Sequence, residues 1–461
     1  MHSIDWIVLC STLLAIVFYG VWKTRKVSNT ESYLLGDREL KWYTIGLSIM
    51  ATQASAITFL STPGKAFQDG MGFAQFYFGL PIAMVLLAAF VLPYFYRLKV
   101  YTAYEFLEGR FGLPTRTLAA IFFLFQRGLS AGLTIFAPAI ILSSILGWPL
   151  WTTNITIGFL VIIYTVAGGT NAVSQTQRQQ MILILGGMVI AAGIAISHFP
   201  SGVSIGDAMS IAGKMGKLDI IDTKFSFENK YNIWSGLLAS TFLFLSYFGA
   251  DQSQVQRYLS GKSLSESRMG LLFNGIVKVP MQMLVLFTGI LVFLLFQFEK
   301  PPVHFIENNL EVVELSENKE QLSELQQEYD QNFADKTIAV LDFVEAKKID
   351  NEAGIEEAIA QISTYDARDK EIRVEVNELI KASDPSLNTR DGDYVFITFV
   401  IQYLPIGLIG LLLAVIFSAA MSSTASEINA LATTTVVDLY RRSIFTKGSD
   451  QHYLKASKYF T

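Results

Sequence analysis

The stretch GLSIMATQASAITFLSTPGKAF (46–67) decides the fold, because it is apolar enough to enter a membrane and yet is polar through its middle. Serine, threonine, glutamine and small residues interrupt the apolar run, which ends in Pro63-Gly64. A bilayer core offers no hydrogen-bond partners, so polar groups at that depth must face protein or a water-filled path. We therefore predict a helix that lines an internal site. Close packing of small residues against a neighbouring helix is the alternative.

A second stretch of the same character, LLLAVIFSAAMSSTASEINALATTT (411–435), lies near the end of the chain. Ser422 and Ser426 are four residues apart and share a helix face, whereas Ser423 lies about 100° around from Ser422. A hard monovalent cation such as sodium prefers oxygen ligands. The two polar spans could supply these oxygens jointly, one through carbonyls of an unwound segment and the other through hydroxyls.

The composition of the whole chain is that of a membrane protein. Of its 461 residues, 51% are apolar and only 16% are charged, against about 25% charged in an average soluble protein. A span needs about 20 mainly apolar residues. The nine runs that meet this requirement are Ile4–Trp22, Trp42–Thr62, Phe73–Tyr96, Leu118–Leu146, Leu150–Val166, Met181–Ser197, Ile233–Gly249, Val277–Phe298 and Ile406–Leu431.

The charges are segregated along the chain. Residues 301–393 carry 23 acidic and 9 basic residues, a net charge of −14, whereas the whole chain has a net charge of −5. This segment reads as a water-facing, partly helical insert: a solvated cap, or a surface that binds a partner. The basic groups lie at the ends of apolar runs and form no stripe, which excludes nucleic acid as a partner. A single cysteine and four scattered histidines exclude a disulfide framework and a zinc site.

Loop charges predict the orientation in the membrane. The segments after spans one, three and seven and the C-terminal tail are rich in Lys and Arg, so we place them in the cytoplasm. Lys23, Arg25 and Lys26 follow the first run rather than precede it, which is typical of a first span and not of a signal peptide. The N-terminus and residues 301–393 are then extracytoplasmic, in a plasma (inner) membrane. Four lysines between residues 214 and 230 lie on the outer side and count against this orientation.

Taken together, these residues resemble the sodium/solute symporter family, which includes sodium–sugar, sodium–iodide, sodium–monocarboxylate and sialic-acid transporters. The resemblance spans the chain except for the acidic insert. The strings that carry it are ATQASAITFLSTPGKAF (51–67), FYRLKVYTAYEFLEGRFG (95–112), YTVAGGTNAV (164–173), DQSQVQRYLSGKS (251–263) and PIGLIGLLLAVIFSAAMSSTASEINA (405–430).

The resemblance implies an all-α membrane protein with a LeuT-type inverted repeat after one extra N-terminal helix. The chain then holds five helices of the first repeat and three of the second, and we expect it to be a C-terminally truncated transporter. The implied segments are an N-terminal helix with a linker (1–41), the first repeat (42–198), an external loop (199–232), two helices of the second repeat (233–300), the insert (301–393), and a third helix with a cytoplasmic tail (394–461).

The resemblance also implies a sodium site. Its ligands are the backbone carbonyls of Ala51, Ala54 and Ala419 and the hydroxyls of Ser422 and Ser423. Some family members have a second sodium site, which Ser422 and Ser426 match. Ala425 and Gln177 depart from it, standing where a serine and an aspartate are expected. We therefore expect one Na⁺.

The implied solute cavity is lined by nine residues: Gln53, Ser55, Thr58, Phe73, Phe76, Tyr77, Ser246, Tyr247 and Lys278. Tyr247 matches an inner-gate tyrosine, with Gln53 as its partner, and Lys278 matches a sugar-contacting lysine. Alternatively, Lys278 snorkels to the cytoplasmic interface and Tyr247 is a core or interfacial aromatic. Thr58 and Tyr77 depart from the sugar transporters.

The carboxylate-binding arginine of the sialic-acid transporters falls on Leu129, and Arg127 stands two positions earlier. The string IFAPAIIL (135–142) is closer to the iodide and monocarboxylate branch.

The predicted function is sodium-coupled import of a small organic solute, an anion such as a monocarboxylate or a sugar, by alternating access. The alternative is a transporter-like input domain of a membrane signalling protein. A membrane-embedded enzyme is disfavoured, because the spans hold no clustered histidines, cysteines or paired carboxylates. The expected partners are the solute and the lipid bilayer, and no obligate protein partner is evident.

Overall fold

The structure, a computed structural model, describes residues 1–24, 27–226 and 228–461. Arg25 and Lys26, which enter the charge argument above, lie outside these described residues. Within them, β pairing is confined to an isolated bridge between Leu40 and Gly261. The predicted all-α class is therefore confirmed.

Eighteen helices organise the described residues. They are α1 Ser3–Thr24, α2 Thr30–Leu35, α3 Trp42–Gln53, α4 Ala56–Asp69, α5 Met71–Leu98, α6 Ala103–Phe111, α7 Leu113–Leu146, α8 Leu150–Ser197, α9 Ile205–Lys214, α10 Ser235–Ala250, α11 Gln252–Leu259, α12 Leu264–Phe298, α13 Glu307–Glu314, α14 Lys319–Lys348, α15 Glu352–Ser383, α16 Val395–Tyr403, α17 Leu408–Ile444 and α18 Asp450–Phe460. Short 3₁₀ turns join some of them, and α5, α10 and α17 contain π-helical turns.

In the part of the chain that the structure describes, six helices are long and apolar enough to cross a membrane: α1, α5, α7, α8, α12 and α17. The pair α3 and α4 is bent by 66° and forms a broken span, and α10 is a shorter apolar helix. At about 1.5 Å per residue, the 48 residues of α8 measure roughly 72 Å, more than twice a bilayer core of about 30 Å. Gly169 (φ 55°, ψ −139°) breaks α8 into two segments, which contain the predicted runs Leu150–Val166 and Met181–Ser197. Of the other predicted runs, Trp42–Thr62 is divided between α3 and α4, and Ile233–Gly249 and Ile406–Leu431 begin two residues before α10 and α17.

Burial separates a central helix pair from the outer helices. The most apolar windows of α17 and α12 are 83% and 72% buried, against 28% for α7 and 33% for α1. The packing partners of α17 include α1, α7 and α8, and α12 packs on both halves of the broken span. The polar stretch of α17 therefore lies inside the bundle and not against lipid, as the sequence predicted.

The acidic insert folds as an antiparallel hairpin of α14 and α15. Lys336 lies between Asp366 and Asp369 of the facing helix, and Asn332 donates to Asp369 Oδ1 at 2.7 Å. Burial acts to lower the pKa of Lys336, but the two carboxylates outweigh it and raise that pKa above its ordinary value. The predicted helix around 317–333 is the first half of α14, which begins at Lys319.

The hairpin is docked on the membrane helices. Val340 and Phe343 of α14 share an apolar cluster with Leu286 and Ile290 of α12. Lys347 Nζ also lies 3.2 Å from Asp207 Oδ1 of α9. One face of the insert is thus buried against the helix bundle. The sequence predicted a solvated cap and gave no sign of this buried face.

Candidate functional site

The break between α3 and α4 is local and sharp. Ala54 (φ −88°, ψ 86°) and Ser55 (φ −78°, ψ 170°) leave the helical conformation, and α4 begins at Ala56. The last carbonyls of a helix lack intrahelical partners, so this break frees backbone oxygens in the protein interior. Ala51 and Ala54 are both fully buried.

Oxygens of the broken span and of α17 meet at this break. The Ser422 hydroxyl lies 3.1 Å from the Ala51 carbonyl oxygen and 2.9 Å from that of Ala419. The Ser423 hydroxyl lies 3.1 Å from the same Ala419 oxygen. Four of the five predicted sodium ligands are thus brought together, and Ala54 lies at the break three residues beyond Ala51. We call these five residues the oxygen cluster; carbonyls and hydroxyls are the ligands that a hard cation prefers.

Gln177 of α8 occupies the position beside the oxygen cluster. Its side chain is fully buried, and its Nε2 donates to the Ser422 carbonyl at 2.8 Å, Ser426 Oγ at 2.7 Å and Thr52 Oγ1 at 3.1 Å. Its Oε1 accepts from the Ser48 hydroxyl. An uncharged amide therefore joins the hydroxyls of the broken span to those of α17, where Thr52 Oγ1 and Ser426 Oγ also hydrogen-bond each other at 2.7 Å.

The predicted aromatic residues of α5 form one cluster. Ring centroids lie 5.7 Å apart for Phe73 and Phe76, 5.5 Å for Phe76 and Tyr77, and 5.8 Å for Phe73 and Tyr77. Phe244 of α10 extends the cluster at 5.6 Å from Phe76 and 6.0 Å from Tyr77. Tyr247 lies one helical turn beyond Phe244 in the same helix.

Gln53 and Tyr247 do not pair with each other. The Tyr247 hydroxyl accepts from Gln254 Nε2 at 2.7 Å, whereas Gln53 Oε1 is buried without a hydrogen-bond partner among the described residues. The expected pairing is wrong because Asp251 caps α11 through Ser253, and this turn places Gln254 seven residues beyond Tyr247 and within reach.

The predicted polar residues Ser55, Thr58 and Ser246 differ in how far they are buried. Ser55 caps the start of α4, where its carbonyl accepts from the Thr58 backbone N–H at 3.0 Å, and both side chains are partly buried. Ser246 is exposed on α10, and within the described part of the chain no hydrogen bond joins it to the other predicted residues.

Lys278 lies in a stripe of buried polar residues on α12. Asn274, Lys278 and Gln282 are spaced by four residues and are at most 1% exposed. Lys278 Nζ, Asn274 Oδ1 and both amide atoms of Gln282 have no hydrogen-bond partner among the described residues. Lys278 is fully buried about 21 Å along α12 from Leu264, so snorkelling to the interface is wrong.

The stripe faces the two halves of the broken span and α5. Asn274 Nδ2 lies 3.6 Å from Met84 Sδ of α5. Further along the same face, Gly289 packs so closely on Pro63 of α4 that a Cβ would overlap its backbone. Lys278 was predicted from the sequence whereas Asn274 and Gln282 were not, although their four-residue spacing places all three on one helix face.

A buried ion cluster lies one turn of α17 beyond the oxygen cluster. The Arg127 guanidinium of α7 contacts Asp251, at the junction of α10 and α11, and lies 2.9 Å from Glu427 Oε1 of α17. It also lies 5.8 Å from the centre of the Tyr247 ring. Arg127 thus links three separate elements, a role that sequence spacing alone did not predict.

Fold and site together define a polytopic helical membrane protein with a broken span at an internal oxygen cluster. A solved structure described as a substrate-bound outward-open state of a Na⁺-coupled sialic acid symporter matches 99% of this chain and 79% of its own, with a TM-score of 0.74 and 22% identity. This likeness confirms the LeuT-type fold. The family model described as the sodium:solute symporter family matches residues 33–308 and 384–460, so the chain belongs to that family.

Curated relatives agree with this assignment. The chain is 30% identical over 258 residues to the sodium-coupled monocarboxylate transporter 2 of Bos taurus, covering 56% of this chain and 41% of the relative. It is 30% identical over 248 residues to the sodium/iodide cotransporter of Homo sapiens, covering 53% and 38%. The chain thus spans less than half the length of these relatives. They are named as transporters, not enzymes, and the comparisons give no support to the signalling alternative.

Proposed function

We propose that this protein is a sodium-coupled symporter that imports a small organic solute by alternating access. The observation that carries the proposal is the meeting of the Ala51 and Ala419 carbonyls with the Ser422 and Ser423 hydroxyls beside a helix break. These atoms come from two helices, so a bound Na⁺ would hold the helices together. Relatives named as sodium-coupled or sodium cotransporters support the choice of ion.

The coupling follows from differential affinity. A ligand shifts a conformational equilibrium only as far as its affinity differs between the states. Sodium meets this condition if the Ser422 and Ser423 hydroxyls separate from the Ala51–Ala54 carbonyls in the inward-facing state. The membrane potential contributes about 2.3 kcal/mol per charge per 100 mV, equivalent to roughly fiftyfold accumulation of a neutral solute.

The solute site that we propose lies between the aromatic residues of α5 and the polar stripe of α12. It comprises Gln53, Ser55, Thr58, Phe73, Phe76, Tyr77, Ser246, Tyr247 and Lys278. The buried Lys278 ammonium has no counter-charge within hydrogen-bond distance, and an isolated buried charge is costly. An anionic solute would supply that charge, so we favour a monocarboxylate over a sugar.

We further propose a plasma (inner) membrane location with the N-terminus and residues 301–393 outside. The basic loops after spans one, three and seven support this orientation. The docked hairpin would then cover the outer end of α12. Cysteine labelling of the hairpin from outside intact cells tests the orientation, and labelling only after permeabilisation would contradict it.

The sodium site is tested by uptake into proteoliposomes. Ser423→Ala removes one proposed oxygen ligand, so the sodium concentration for half-maximal uptake should rise about three- to tenfold. Thr288→Val is the matched control, because that buried hydroxyl bonds back to the Leu284 carbonyl of its own helix. Equal sodium dependence in Ser423→Ala and the unaltered protein would disprove the assigned site.

The solute class is tested with Lys278→Gln, which removes the charge and keeps a polar side chain. Lactate binding should weaken at least tenfold, because the carboxylate loses its ion-pair partner. Glucose serves as the uncharged comparison. Binding of glucose but not of lactate by the unaltered protein would favour the sugar alternative.

A further inference from the structure

The ion cluster of Arg127, Asp251 and Glu427 carries more negative than positive charge. One guanidinium faces two carboxylates, so with all three ionised the cluster has a net charge of −1. All three side chains are largely buried, at 11%, 13% and 6% exposure. Such an uncompensated charge is expensive inside a protein, so one of the carboxylates either takes up a proton or is balanced by a nearby cation.

Of the two carboxylates, that of Glu427 is the less fully compensated. Its Oε1 accepts from Arg127 Nη1 at 2.9 Å, from Ser130 Oγ at 3.2 Å and from Thr134 Oγ1 at 3.4 Å. Its Oε2 is buried and has no hydrogen-bond partner among the described residues. Asp251, by contrast, is also satisfied by the Ser253 backbone N–H at 2.9 Å.

Glu427 is next to the oxygen cluster in the helix. Ser423 and Glu427 are four residues apart on α17, so their Cβ atoms lie about 5–6 Å apart on one face. At such separations inside a protein, a carboxylate and a cation interact far more strongly than in water. The oxygen cluster itself is neutral, being made of carbonyls and hydroxyls, and it therefore lacks a charge of its own for an ion.

We propose that Glu427 is the counter-charge of the sodium ion and sets the affinity of the site, an inference that rests on the function proposed above. Sodium at the oxygen cluster balances the net charge of the ion cluster. Arg127 joins Glu427 to Asp251 beside Tyr247. The charge of the bound ion therefore also acts electrostatically on the α10–α11 junction. A purely structural role for Glu427 is the competing explanation.

The experiment measures sodium-dependent thermal stabilisation of the purified full-length protein in detergent. Sodium chloride replaces choline chloride at constant ionic strength, so that sodium alone is the probe. Glu427→Gln keeps the shape and the acceptor oxygen, but loses the charge. We expect the half-saturating sodium concentration to rise at least fivefold, whereas Glu427→Asp, which keeps the charge, should stay within about threefold of the unaltered protein.

Asp438→Asn is the matched control. Asp438 is a fully buried carboxylate of the same helix, and Arg116 Nε donates to its Oδ1 at 2.8 Å. It lies 15 residues beyond Ser423, roughly 22 Å along the helix, too far to act on the ion. Its removal should change the half-saturating sodium concentration less than twofold, although it lowers stability.

The outcomes separate the two proposals. If the unaltered protein shows no sodium-specific stabilisation, the proposed function fails. If sodium does stabilise the unaltered protein, two results refute the role of Glu427: an unchanged half-saturating sodium concentration in Glu427→Gln, or an equal shift in Asp438→Asn.

If Glu427→Gln does not fold, the double variant Ser130→Ala/Thr134→Val tests the same inference. It removes two hydrogen-bond donors from the Glu427 carboxylate and should at least halve the half-saturating sodium concentration. No decrease would refute the inference.

Discussion

At the scale of single residues, Gln177 shows how an uncharged side chain organises a polar core. Its amide bridges Ser48, Thr52, Ser422 and Ser426, which belong to the broken span and to α17. Each buried polar group left without a partner costs about 1–3 kcal/mol. The bridge therefore holds the broken span and α17 in register.

Gln177→Leu should lower the free energy of unfolding by about 2–4 kcal/mol, because several buried oxygens lose their donor at once. Thermal and denaturant unfolding in detergent measure the loss. Gln331→Leu, at an exposed position of α14, is the control and should change stability by less than about 0.5 kcal/mol. Similar losses in both variants would show that the amide bridge contributes little.

At the residue level, the family resemblance predicted that Ser422 and Ser423 lie beside the Ala51 and Ala419 carbonyls. In the structure the two hydroxyls lie close to these oxygens, and their role as sodium ligands stays a prediction. The partners of Arg127, Asp251 and Glu427, lie 124 and 300 residues away along the chain, and no motif of the resemblance joins them to it. Such partners are visible only once distant helices are packed together.

At the scale of elements, glycine determines where α8 breaks. Gly169 has a positive φ of 55°, and a Cβ there would overlap the Tyr33 carbonyl oxygen. The break turns one apolar stretch of 48 residues into two spans. Sequence periodicity located both runs but not the residue at which the chain leaves the helix.

Gly169→Ala should destabilise the protein by about 2–4 kcal/mol, because the side chain adds both a strained φ and a steric overlap. Gly186→Ala in the same helix meets no atom within 4 Å and has an ordinary helical conformation. It should be neutral or stabilise by up to about 1 kcal/mol. Thermal unfolding of both variants provides the measurement. A loss of stability in Gly169→Ala alone means that glycine is required at this position, whereas a similar loss in both variants would mean that α8 tolerates alanine poorly in general.

The broken span itself was only partly foreseen. The run Trp42–Thr62 was predicted as one polar span, whereas the structure has two helices, Trp42–Gln53 and Ala56–Asp69, bent by 66°. Polar and small residues indicate that such a span faces the interior. The angle of the break depends on contacts such as that of Gly64 with Gly392, which the local sequence does not specify.

At the scale of the whole molecule, the acidic hairpin is part of the packed structure. Phe343 is 1% exposed and lies in the cluster that joins α14 to α12, whereas Ile349 at the hairpin tip is 69% exposed. The match to the family model stops at residue 308 and resumes at 384, so this hairpin lies wholly outside the matched ranges. Its apolar face packs on Leu286 and Ile290 of α12, which lie inside the matched ranges.

Phe343→Ala should weaken the docking by about 3–5 kcal/mol and make the hairpin more accessible to protease, because it leaves a cavity in the shared cluster. Ile349→Ala, which removes an exposed side chain of the same hairpin, should leave the cleavage rate unchanged. Limited proteolysis with mass spectrometry provides the readout. Equal cleavage of Phe343→Ala and the unaltered protein would mean that the hairpin is not held by this cluster.

The amino-acid sequence by itself determined the all-helical membrane class, the segments that span the bilayer and the polar helices that face inward. These depend on the composition of consecutive residues, since the free energy of transferring a helix to lipid is set by the residues of that helix. Only the tertiary structure decided the partner of Tyr247, the burial of Lys278, the bridge made by Gln177 and the ion cluster around Arg127. Each of these depends on side chains from different helices meeting in a low-dielectric interior, where position rather than residue type sets the energy.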